Sequence, residues 1–141
     1  MEELGGFFGS IGLISIIYLA LRPTLQLVTE QIRRRGKTVS ASLKKTYQSI
    51  TKNHRYAGFV AAGAIVVHFI LQFTNYGKVS VTGLIAALTL AAQAILGLGL
   101  TKQKDKERRK KMALLHRILG IILVVAVLIH LIAGGISIAE G

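Results

Sequence analysis

The chain holds four histidines, and they fall in a repeated pattern. His54-Arg55 is followed by Gly58 and then, after nine further residues, by His68; His116-Arg117 is followed by Gly120 and, at the same spacing, by His130. Fourteen residues are close to four turns of α-helix, so the two histidines of each copy share a face and stand about 21 Å apart along the axis. Both copies lie in runs that are otherwise almost wholly apolar. An imidazole in hydrocarbon is costly without a partner, which makes each of these residues a functional hypothesis by default. Two such helices side by side offer two pairs of facing imidazoles at two depths. Two imidazoles fill both axial positions of a haem iron, and an iron so filled has no open site for oxygen or substrate and moves electrons instead. There is no cysteine, which excludes disulfides, iron–sulfur ligands and the Cys-x-x-Cys-His attachment of c-type haem. The expected cofactors are therefore two haem b groups, held by coordination and packing alone.

The elements that must position these residues are legible from hydropathy. Of 141 residues, 52% are hydrophobic, gathered into four blocks of membrane-spanning length at about 4–21, 55–74, 81–100 and 112–138. This predicts an all-α membrane protein, a single four-helix bundle domain over 1–141. The flank before the first block is acidic (Glu2, Glu3) and no small-residue cleavage site follows it, so it reads as a retained span rather than a cleaved signal peptide. Pro23 is expected to kink that helix or to end it at Arg22. Within the basic loop 22–54, Leu25, Val28 and Ile32, and then Val39, Leu43, Tyr47 and Ile50, recur at helical spacing on either side of Gly36. They predict amphipathic extensions of the first two spans that turn at Gly36 and form a short stalk outside the bilayer; a flexible basic loop is the alternative. Asn75 to Lys78 reads as a tight turn, and 101–111 as a charged loop.

Charge orients the bundle. The net charge of +12 is confined to connections beside apolar spans, which argues for a lipid bilayer and against nucleic acid as the partner. Nine Lys and Arg lie from Arg22 to Arg55 and seven from Lys102 to Lys111, against Lys78 alone in the remaining connection. The positive-inside rule then makes both basic loops cytoplasmic and both termini external, in a plasma or inner membrane. The second and fourth spans run parallel, so His54 pairs with His116 on an inner haem iron and His68 with His130 on an outer one. The halves read as a tandem helix–basic loop–helix repeat about an axis along the membrane normal.

Other residues are candidates beside ordinary alternatives. Gly58 and Gly120 make room for a haem plane, or simply let helices approach closely. Arg55, Arg117 and Lys52 are placed for the propionates of the inner haem, or snorkel at the membrane boundary; Lys78 and Tyr76 are the candidates at the outer one. Gln72 and Gln93 bond a quinone, a propionate or, by default, a neighbouring helix. Tyr47 and Tyr56 line a quinone or substrate pocket, or act as interface anchors.

The paired His-x13-His helices resemble the di-haem four-helix cores of b-type cytochromes, shared by ferric-reductase-like transmembrane domains and quinol-oxidising cytochrome b. The local His-Arg-x-x-Gly pattern at His54-Arg55 to Gly58 and His116-Arg117 to Gly120 looks closer to the ferric-reductase-like or ascorbate-type cytochromes. The resemblance covers the second and fourth spans and implies haem ligation by all four histidines with electron transfer across the membrane. It departs from the usual ferric reductases, which have more helices and an attached flavin and nicotinamide domain; this chain has no Rossmann-like glycine fingerprint. The leading expectation is an electron conduit, either alone or as a homo-oligomer, serving a soluble or membrane redox partner of an oxidoreductase. The basic loops could receive an acidic reductase or only anionic lipid. A quinol- or ascorbate-linked reductase is the second reading, and metal or proton transport along the histidines the third.

Overall fold

The computed structural model describes residues 2–139, and side chains from 3 to 134; the side chains of Glu2 and of the fourth span beyond 134 lie outside the description. The order is α1 (Glu2–Arg34), α2 (Ala41–Tyr76), α3 (Val81–Lys102) and α4 (Lys106–Ala139). Each helix is long and apolar enough to cross a membrane, and the chain is an all-α, multi-pass membrane protein. Its exterior is built for lipid: Ile14, Ile95 and Ile121 are 66%, 69% and 67% exposed, a cost in water that hydrocarbon removes. Half of the buried hydrophobic set is alanine, Ala61, Ala64, Ala86 and Ala126, beside Ile16, Ile50, Leu90 and Leu123. Small residues let helix backbones close on one another where no hydrophobic effect drives them together.

The stalk is present. α1 has 33 residues and α2 has 36, roughly 50 Å each at 1.5 Å per residue, against a hydrocarbon layer of about 30 Å. α1 ends in a Schellman motif: Lys37 N–H donates to the Ile32 carbonyl and Gly36 N–H to that of Arg33, with Gly36 at φ +67° in the left-handed region that favours glycine. Ser40 caps α2 by accepting from Leu43 N–H. Ile50 is buried against α1 while the lysines around it face out.

One local expectation is narrowed and one corrected. Of the two outcomes expected at Pro23, an end at Arg22 is ruled out: α1 runs on through Pro23 to Arg34. Proline removes one backbone donor; Thr24 Oγ1 donates to the Ala20 carbonyl in the same turn, and close packing of α1 on α2 along its length outweighs the lost bond. Nor is 101–111 a loop. Thr101 and Lys102 end α3, only 103–105 are non-helical, and Lys106 to Lys111 form the first turns of α4. Asp105 Oδ1 accepts from Arg108 N–H at 2.8 Å, an N-cap that starts the helix early in a run of good helix formers.

α1 with α2, and α3 with α4, form tight antiparallel hairpins. The hairpins touch lightly through α2 with α3 and α1 with α4, while α2 and α4 stand diagonally and make no close backbone approach. The diagonal pair is the one that carries the histidines.

Candidate functional site

Three of the four histidines, His68, His116 and His130, pack against the helix of their own hairpin that has none. α1 lies on α2 so that Gly5 opposes Gln72, Gly9 opposes His68 and Gly12 opposes Ile65. α3 lies on α4 so that Gly83 opposes His130 and Gly97 opposes His116. A Cβ at Gly9 would stand 3.1 Å from His68 Nδ1, one at Gly83 3.0 Å from His130 Cε1, and one at Gly97 3.3 Å from His116 Cε1. These three glycines are the floor on which the imidazoles rest. No spacing rule singled them out, because they lie on the spans without histidine; the signal was their place one helix across from each ligand candidate.

At the basic end of the bundle, where α1 turns into α2 and α3 into α4, His54 and His116 meet across the diagonal. Their ring centroids are 6.3 Å apart with the planes at 75°. His54 Nδ1 is buried without a hydrogen-bond partner. His116 lies beside the Gln93 backbone carbonyl, yet its Nδ1 makes no hydrogen bond of acceptable geometry. At the far end, His68 and His130 lie near one another, and both are hydrogen-bonded. His68 Nδ1 lies 2.8 Å from the Gly5 carbonyl. A carbonyl only accepts, so Nδ1 carries the proton and the neutral ring keeps its lone pair on Nε2. His130 Nδ1 lies 3.2 Å from Thr82 Oγ1 and 3.3 Å from Ser80 Oγ; Ser80 is also the N-cap of α3.

The remaining candidates divide. Gln93 Nε2 donates to the His116 carbonyl at 2.8 Å, the helix-to-helix role, and a Cβ at Gly120 would stand 3.1 Å from that nitrogen. Gly120 thus clears the path of Gln93. A Cβ at Gly58 would meet nothing within 4 Å, so that glycine borders open space. Arg117 Nη2 donates to Gln26 Oε1 at 3.2 Å, and Gln26 Nε2 donates to Glu30, a bridge from α4 to α1 at the bundle's basic end. Arg55 is exposed and lies over the Phe59 ring, 5.7 Å from its centroid; one residue past His54, it is turned about 100° around the helix from it. Lys52, Lys78, Tyr56 and Tyr76 are exposed. Tyr47 is half-buried in a small cavity between α1 and α2, beside Gln26 and Glu30. Gln72 packs on Gly5.

Arg22 is the residue that sequence reasoning missed as a site element. It is near enough to both His54 and His116 to act on their charge, and its Nε is buried without a hydrogen-bond partner. Its place at the edge of the first span reads as topology; only the antiparallel register of α1 on α2 brings it beside His54.

The chain matches no known family model, and no curated protein or solved structure shows significant similarity to it.

Proposed function

We propose that the protein carries electrons across the membrane through two b-type haems, one held by His54 and His116 and the other by His68 and His130. The observation that carries this reading is the meeting of His54 and His116, on diagonal helices without close backbone contact, at 6.3 Å between centroids. Two imidazoles binding one metal from opposite sides, each nitrogen ~2 Å away, have centroids roughly 6 Å apart. The donor set agrees. Among the described residues no three histidine or acidic side chains converge, so each site offers two nitrogens only, and a bare divalent ion asks for about four ligands where a haem iron asks for two. The glycines under the rings keep the space that a Cβ would take.

The residues have separate tasks. His68 and His130 are oriented by Gly5, Thr82 and Ser80, the outer contacts that set which nitrogen of a metal-binding histidine is free. Gln93 ties α3 to α4 at the turn of His116, and Gln26 ties α1 to α4 through Arg117. Haem b at each level, when bound, supplies a one-electron couple. With the basic connections cytoplasmic, the pair at the basic end is the inner site and the far pair the outer one.

Visible spectra of the detergent-purified protein, oxidised and dithionite-reduced, with a pyridine haemochrome assay, test the proposal. Two six-coordinate b haems per chain are expected. Protein purified without haem from haem-replete cells would overturn it.

A further inference from the structure

The two histidine pairs differ in what surrounds them, and both differences act in the same direction. At the far end, His68 Nδ1–H donates to the Gly5 carbonyl. With Nε2 as ligand, His130 Nδ1–H likewise donates toward Thr82 or Ser80. Such donation makes an imidazole a more basic ligand, which favours the higher oxidation state of a bound iron. At the basic end His54 Nδ1 has no partner, and His116 Nδ1 lies beside the Gln93 carbonyl without a hydrogen bond of good geometry.

Charge adds to this. Gly9 opposes His68, and the same antiparallel register carried along α1 brings Arg22 to the turn of His54. Gln26, one turn beyond Arg22 on the same face of α1, reaches α4 through Arg117, so Arg22 faces the bundle one turn deeper. Its Nε is buried and unbonded. The described carboxylates nearest the basic end are engaged elsewhere: Glu30 accepts from Gln26, Asp105 caps α4 and Glu107 pairs with Lys110. Among the described residues, Arg22 has no carboxylate paired with it. A half-buried cation stabilises an electron added beside it, and it would neutralise a cofactor carboxylate at its level. At the far end the cation within reach by sequence, Lys78, is exposed and screened by water.

We infer that Arg22, together with the unequal hydrogen bonding of the two pairs, makes an iron held by His54 and His116 the more easily reduced, so that electrons collect at the basic end of the bundle. The inference rests on the di-haem reading and adds an order of potentials to it. Arg22 is a positioning and charge-setting residue, not a ligand.

A potentiometric titration of the full-length holoprotein, followed at the haem absorption band, tests it. Two waves are expected. His68→Ala removes the lower wave and leaves the upper. Arg22→Gln moves the upper wave down and leaves the lower in place, while Arg22→Lys restores most of the shift. Ser80→Ala with Thr82→Val moves the lower wave up. Should Arg22→Gln lose the basic-end haem, recovery of that haem and of the upper wave in Arg22→Lys supports the inference, and its loss there too overturns it in favour of a purely structural role. Loss of the upper wave from His68→Ala, an upper wave unmoved by Arg22→Gln, or two coincident waves in the unaltered protein would each overturn the order while leaving the di-haem reading standing. A protein that binds no haem would sink both.

Discussion

His54 and His116 face each other edge to face at 6.3 Å, although the helices that carry them make no close backbone approach. The side chains reach across a diagonal that the backbones leave open. The other diagonal, between α1 and α3, is equally free of close approach, but it brings glycines rather than histidines to the site.

Replacing one member of the pair should empty one level only. His116→Ala leaves the backbone carbonyl that accepts from Gln93, so the α3–α4 contact survives. Haem per chain is expected to halve in the pyridine haemochrome assay. Loss of both haems together would mean that binding and folding of the bundle are one event.

Gly83→Val should disturb the far pair and spare the basic-end pair. Even a Cβ there would stand 2.7 Å from Ser80 Oγ and 3.0 Å from His130 Cε1, so both the cap and the imidazole must move. The expected result is a shifted or lost outer haem in low-temperature difference spectra, with the inner haem's band unchanged. A variant with both bands unaltered would show that Gly83 is not part of the site's floor.

Gly12→Leu tests hairpin packing one turn from the far pair. A Cβ at Gly12 would fall 2.6 Å from Ile65 Cδ1; that methyl can swing aside for alanine, but leucine overfills the contact. Overpacking of this kind costs about 1–3 kcal/mol, to be read as a lower unfolding midpoint in a detergent-denaturation titration. An unchanged midpoint would place the α1–α2 contact elsewhere.

Sidedness can be read directly because the chain has no cysteine. Lys78→Cys, in the connection between α2 and α3, should react with an impermeant maleimide from outside intact cells. Lys104→Cys, between α3 and α4, should react only after permeabilisation. The reverse pattern would invert the inner and outer assignments without touching the pairing.

Several features were legible in the sequence for simple reasons. Hydropathy over some twenty residues identifies a span because hydrocarbon tolerates no unsatisfied backbone, and four such runs gave the four helices. The stalk turn was visible because Gly36 interrupts two apolar stripes at helical period, and the structure closes it there with a left-handed glycine. Facing of His54 and His116 followed from equal spacing on two parallel spans. The local misreading was of a helix start. The charged run 102–111 was judged by propensity, and a capping side chain decided otherwise.

By itself, then, the sequence determined the class of the molecule, the number and order of its spans, and which histidines share a level, because all of these depend on periodicity and composition along one chain. Tertiary structure alone decided that Gly9, Gly83 and Gly97 underlie three of the rings, that Gly5, Ser80 and Thr82 orient the far pair while neither basic-end Nδ1 has a hydrogen bond of good geometry, and that Arg22 rather than Arg55 lies beside the histidines. Those relations depend on the register of one helix against another. A shift of a single residue rotates a side chain by about 100°, and no pattern within either helix records that register.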